Sequence, residues 1–163
     1  HLTAGALVLG ALAATDSVDG IMARTAGRSS RWGAFLDSTL DRFSDAAIFC
    51  GVLVWALRHP TGTVADLTVG LAVACLVVGS VVPYARARAE GLGLHAASGI
   101  AERTDRLVVV LAATLLVGLG LPPLVMTVAL GLLALASAVT VLQRMVEVRR
   151  QVEPGELAAE GTP

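Results

Sequence analysis

Apolar runs separated by short arginine-bearing breaks occupy almost the whole of this chain, and that alternation limits its fold more than any other feature. The runs fall within residues 2–22, 34–57, 64–85, 107–121 and 124–145. Five such runs in a chain of 163 residues that is 55% apolar and 15% charged, with a mean hydropathy of +0.76, are more than a soluble core of this size uses. The expectation is an all-α, polytopic transmembrane helix bundle with five visible spans, since only self-satisfied helices or closed barrels cross a bilayer. The length allows one domain, assigned to residues 1–150. The polar end QVEPGELAAEGTP, residues 151–163, is expected to be a disordered cytoplasmic tail.

The breaks set the orientation. All twelve basic residues are arginines. Arg24, Arg28, Arg31 and Arg42 follow the first run, Arg86, Arg88, Arg103 and Arg106 lie between the third and fourth, and Arg144, Arg149 and Arg150 follow the fifth. Only Arg58 falls on the other side, so the positive-inside rule makes this a multi-pass cell-membrane protein with the arginine-rich side facing the cytoplasm. Small residues such as Gly70, Gly79 and Ser80 offer close helix packing, and Pro83 is expected to kink the end of the third span. The Gly- and Ala-rich spans also suit a homodimer. Cys50 and Cys75 sit inside apolar runs without a partner motif and read as buried small hydrophobes. The chain starts at His1 and enters an apolar run at once, which reads as an N-terminally incomplete sequence. Membrane lipids, not nucleic acid, are its expected surroundings.

Within this apolar setting, residues 16–41 (DSVDGIMARTAGRSSRWGAFLDSTLD) gather four carboxylates. Asp16 and Asp19 are three apart, Gly20 follows Asp16 by four and Ala23 follows Asp19 by four, so these side chains share one helix face. Gly33, Asp37 and Asp41 are again spaced by four. A short polar turn between the two segments lets both faces meet. Four anions so placed repel one another unless a cation neutralises them. With no Cys or His in the stretch, all-oxygen ligation favours a hard ion, Mg²⁺ or Mn²⁺.

The pattern D-x-x-D-G-x-x-A-R, eight residues, then G-x-x-x-D-x-x-x-D is complete as Asp16, Asp19, Gly20, Ala23, Arg24, Gly33, Asp37 and Asp41, and it resembles the signature of the CDP-alcohol phosphotransferases. Within that family, GRSSRWGAFLDSTLDR, the RARAE segment at Arg86 and the ERTDR segment ending at Arg106 are most similar to the bacterial phosphatidylinositol phosphate synthases. The resemblance implies six spans, of which the first is absent before Leu2. It implies transfer of the phosphatidyl group of CDP-diacylglycerol to an alcohol, with release of CMP. It also implies two divalent ions, Mg²⁺ or Mn²⁺, held by Asp16, Asp19, Asp37 and Asp41, with Asp41 also the general base. By the same likeness Gly20, Ala23, Arg24 and Ser30 would serve the CDP-lipid. Asp45, outside the signature, reads as a structural partner for Arg42 or another arginine.

The acceptor is read from a second cluster. Arg86, Arg103, Arg106 and Arg144 all lie at cytoplasmic helix ends, and arginine's planar fork suits a phosphate. A phosphorylated acceptor is therefore expected over serine or choline, and the synthases that this chain resembles take inositol 1-phosphate. Arg86 stands where those synthases carry a lysine, and Glu90 and Glu102 are expected to orient arginines. A related enzyme using glycerol 3-phosphate would share every signature residue. A divalent-cation transporter is the non-enzymatic alternative, opposed by the position of all four aspartates near one surface.

Overall fold

The computed structural model describes Thr3, residues 30–100 and residues 102–160. Four helices occupy the second and third of these segments, and no strand occurs among the described residues: α1 (Arg31–Ala56), α2 (Thr63–Gly91), α3 (Arg103–Gly118) and α4 (Leu124–Glu160). The first expected span, except for Thr3, lies outside the described residues, as do Asp16, Asp19, Gly20, Ala23 and Arg24.

Each helix begins and ends where the local chemistry dictates. Ser30 caps α1, its Oγ accepting from the Gly33 N–H at 2.9 Å, which satisfies one of the unpaired donors of the first turn. After Ala56, the sequence Leu57-Arg58-His59-Pro60 releases the chain, and Gly62 turns it back at φ 66°, a left-handed angle that glycine adopts without strain. α2 passes through Pro83 and continues to Gly91, six residues beyond the expected end at residue 85. Proline forfeits one backbone donor but leaves the helix on both sides of it intact, so the RARAE segment is helical. Pro122-Pro123 separates α3 from α4.

α2 and α4 pack most extensively on each other, α1 lies against α2, and α3 lies against α4. Their shared core joins Ile48, Phe49, Val52 and Trp55 of α1 to Ala72 and Cys75 of α2, Val110 of α3, and Met126 and Leu130 of α4. Polar cross-links sit inside it. Thr68 and Thr127 hydroxyls are 2.7 Å apart in a buried setting, and Cys75 Sγ donates to the Leu130 carbonyl at 3.3 Å. Cys75 is therefore the buried residue expected; Cys50 is not, because its helix position faces outward and leaves it exposed.

Two helices are long and apolar enough to cross a membrane, Thr63–Gly91 and Leu124–Val152. Only 22% and 33% of their most apolar stretches are buried within the protein, so Leu67, Val77, Leu132 and Leu135 face outward. That outward apolar surface belongs in lipid, not in a soluble core. The chain is a membrane protein, all-helical over its described residues. α4 runs on to Glu160 instead of stopping near residue 145, and so covers most of the stretch expected to be a disordered tail.

Candidate acceptor cavity and carboxylate face

The polar turns at the start of α1, ahead of its apolar part from Ala46, carry one half of the aspartate motif. Gly33, Asp37 and Asp41 follow at four-residue steps along one side of that helix. Asp37 is exposed and Asp41 half-buried. Burial raises the Asp41 carboxyl above its ordinary value, Arg103 pulls it back, and the neighbouring Asp37 charge adds to the rise. A cation at this face would offset the effects that raise it, which are burial and the charges of Asp37 and Asp45. The two carboxylates thus fit a hard divalent ion in donor type and in charge. No group of three possible ligands occurs among the described residues, because the other motif aspartates lie outside them. Ser30, expected to serve the CDP-lipid, accepts the Gly33 N–H as the α1 cap, a contact that leaves its O–H able to donate to another group.

Beside this face the four arginines expected to take the acceptor come together. Arg86 from α2, Arg103 and Arg106 from α3 and Arg144 from α4 line one cavity of about 210 Å³, together with Arg42 of α1, Pro83 and Glu102. Arg42 was missed as a member of this set; its sequence neighbourhood marks it only as the residue after Asp41. Arg88, two positions from Arg86, is exposed and lies outside the cavity.

The arginines are held differently. Arg86 pairs with Glu90 at 2.9 Å and keeps an exposed head, as expected for Glu90. Glu102 instead caps α3, its backbone N–H donating to Asp105 Oδ2 at 3.1 Å. Arg103 reaches Asp41 Oδ1 with Nη1 at 2.9 Å and Asp45 Oδ1 with Nε at 3.2 Å, so it links the carboxylate face to the cavity. Arg106 pairs with Asp45 Oδ2 at 3.2 Å. Arg42 lies 3.5 Å from the same carboxylate, an ion pair that lacks hydrogen-bond geometry. Asp45 is thus the arginine partner expected of it, for three arginines at once.

Arg144 depends on the loop between α2 and α3. Its Nε donates to the Ser98 carbonyl at 3.0 Å and its Nη1 to the Val82 carbonyl. The loop is strapped to α4 by Gln151, which both accepts from the His95 N–H and donates to its carbonyl, and by Glu147, which accepts from the Ser98 N–H and hydroxyl. These contacts escaped the sequence reading, since nothing local links residues some fifty positions apart. Gly99 seats the loop, because a Cβ there would run into Thr140 Cγ2. Gly99→Ala is accordingly expected to destabilise the protein by about 1–3 kcal/mol through overpacking. A melting curve in detergent checks this, and an unchanged melting temperature would mean that the loop has slack.

Three comparisons bear on this arrangement. Residues 1–142 match the family model described as CDP-alcohol phosphatidyltransferase. The phosphatidylinositol phosphate synthase of Cutibacterium acnes is 51% identical over 146 residues, which cover 85% of this chain and 69% of that one. The crystal structure of Mycobacterium tuberculosis phosphatidylinositol phosphate synthase with CDP-DAG bound superposes with a TM-score of 0.81 at 40% identity, covering 90% of this chain and 73% of that one. The same enzyme in complex with manganese and citrate gives a TM-score of 0.82, again at 40% identity, covering 90% and 70%. The chain spans about two thirds to three quarters of the length of these relatives.

Proposed function

Since the chain belongs to the CDP-alcohol phosphatidyltransferase family, we propose that it transfers the phosphatidyl group of CDP-diacylglycerol to inositol 1-phosphate, giving phosphatidylinositol phosphate and CMP. The observation that carries the acceptor half of this reading is the cavity, in which five arginines from four helices face a space of about 210 Å³ next to Asp41. Five guanidinium groups so close repel one another, and a phosphate dianion is the ligand that offsets that repulsion while accepting several charge-assisted hydrogen bonds. The CDP-lipid half is supported by the likeness to an enzyme solved with CDP-DAG bound.

In this reading Asp16, Asp19, Asp37 and Asp41 hold divalent metal, as two ions of Mg²⁺ or Mn²⁺, and divalent metal use accords with the manganese-containing relative. The metal, when bound, neutralises the pyrophosphate and the charge that develops on the leaving CMP. The protein's own groups do the rest. The arginine cavity grips the acceptor's phosphate and orients its hydroxyl toward Asp41. Asp41 takes the hydroxyl proton as the oxygen attacks the lipid-side phosphorus; its place beside the cavity, joined to it through Arg103 at 2.9 Å, suits it to that role. The new O–P bond forms, the pyrophosphate P–O bond breaks, and CMP leaves with the electron pair. Arg24 and Gly20 serve the CDP-lipid. Residues 1–150 form the one catalytic domain, with five spans in the cell membrane, the site on the cytoplasmic side and a homodimer as the working unit.

The test is CMP release from CDP-diacylglycerol with Mn²⁺ or Mg²⁺ and a panel of inositol 1-phosphate, free inositol, glycerol 3-phosphate and serine. Release with glycerol 3-phosphate but not inositol 1-phosphate would replace the acceptor. Arg86→Ala is expected to raise the acceptor KM by about tenfold to a hundredfold, the worth of a charge-assisted hydrogen bond, with the KM for CDP-diacylglycerol nearly unchanged. Arg88→Ala, outside the cavity on the same helix, is the control. Equal shifts in the two variants would mean that the arginines act only as a general positive field.

A further inference from the structure

Asp45 occupies a position that the reaction described above does not use, yet it organises the cavity. Its side chain is only 13% exposed. Each of its oxygens accepts from a different guanidinium of α3, Oδ1 from Arg103 Nε and Oδ2 from Arg106 Nη2, both at 3.2 Å, with Arg42 beside Oδ2 at 3.5 Å. Arg106 is the most confined of these cations. It is 3% exposed, and its Nε and Nη1 have no hydrogen-bond partner among the described residues. Gly79 lies beside its head, where a Cβ would meet Cζ and Nε at an ordinary contact distance of 3.9 Å.

A buried arginine with two unsatisfied nitrogens is costly unless something else completes it. A carboxylate that only neutralised Arg106 could take two of its nitrogens in a fork; Asp45 takes one from each of two arginines, while Arg103 gives Nη1 to Asp41 and the Nε and Nη1 of Arg106 stay buried beside Gly79. Because guanidinium is planar, fixing Nη2 of Arg106 and Nε of Arg103 also fixes the direction of their remaining N–H groups.

We propose that Asp45 is a positioning residue for the acceptor: it holds the Arg103 and Arg106 heads at the cavity wall, so that Arg103 presents its remaining N–H groups, and Arg106 its charge, to the acceptor's phosphate. This rests on the acceptor reading given above. Arg103 bridges Asp45 and Asp41 through separate nitrogens, so the same carboxylate also sets how the phosphate grip is registered against the base. Asp45 touches no substrate in this arrangement and acts through its arginines.

The experiment compares wild type with Asp45→Asn, an isosteric change that removes the charge. The acceptor KM is expected to rise at least about tenfold, with kcat within about threefold and the KM for CDP-diacylglycerol within about twofold. The Kd for inorganic phosphate, measured by calorimetry without turnover, is expected to weaken by a similar factor. In an Arg103→Ala, Arg106→Ala background, the same substitution should add less than about threefold, because its effect runs through those two guanidiniums. A uniform fall in kcat with both KM values raised together, or a lowered melting temperature with phosphate binding intact, overturns the proposal and makes Asp45 a strut. If Asp45→Asn does not fold, Asp45→Glu keeps the charge, displaces the oxygens by one methylene and is read in the same way. Wild type that binds phosphate but does not turn over inositol 1-phosphate would sink the acceptor reading, and the phosphate Kd of Asp45→Asn would still decide the role of Asp45.

Discussion

Asp37→Asn is expected to remove CMP release to below detection and to weaken Mn²⁺ binding by at least about a hundredfold, with the melting temperature unchanged. Asp37 is exposed at the start of α1 and has no ion-pair partner among the described residues, so its loss removes no internal contact of that helix. An amide keeps the size and one oxygen but not the charge that a hard cation requires. Manganese binding can be followed by its paramagnetic signal in the absence of any substrate. Excess chelator added to wild type should reproduce the loss of activity, and Mg²⁺ or Mn²⁺ should restore it, whereas neither ion should restore the variant. Full activity in Asp37→Asn, or chelator-resistant turnover in wild type, would remove the metal reading of the whole aspartate motif.

Asp41→Asn should separate binding from chemistry. The turnover number is expected to fall by about a hundredfold to ten-thousandfold, the usual contribution of a positioned base, while CDP-diacylglycerol still binds within a few-fold of wild type. The amide of this variant could not take the hydroxyl proton. Arg103 loses its 2.9 Å partner in the same change but keeps its second carboxylate, Asp45, so the cavity should persist. The phosphate Kd is the internal check on that point. If lipid affinity and turnover fall together by the same factor, Asp41 is a ligand and not a base. If phosphate affinity collapses as well, Arg103 depends on Asp41 more than on Asp45, and the order of importance of those two carboxylates reverses.

Much of the site could be read without coordinates because its first half is local. Gly33, Asp37 and Asp41 lie one turn apart on a single helix, and helix periodicity alone puts them on one face. The apolar runs located helices for the same reason: a backbone in lipid must satisfy its own hydrogen bonds. Element ends were less legible. α2 continued past Pro83 and α4 past residue 145, because charge and proline lower helix propensity without forbidding helix where the neighbouring turns are already formed.

The cavity was decided by tertiary structure. Arg86 and Arg88 have the same chemistry and nearly the same sequence setting, but two residues on a helix point about 200° apart, and only packing says which side faces α3 and α4. Arg42 joined the set for the same reason, and Ser98 entered through a loop held by Glu147 and Gln151. For Asp45 the sequence suggested an arginine partner and could go no further. That it takes one nitrogen from each of two arginines, and leaves Arg106 buried with two more unpaired, depends on where packing brings α3 relative to α1. Sequence spacing determines which groups share a turn, since the helix repeat is a local property. Which groups from different helices share a cavity depends on side-chain packing between residues far apart in the chain, and no local pattern encodes it.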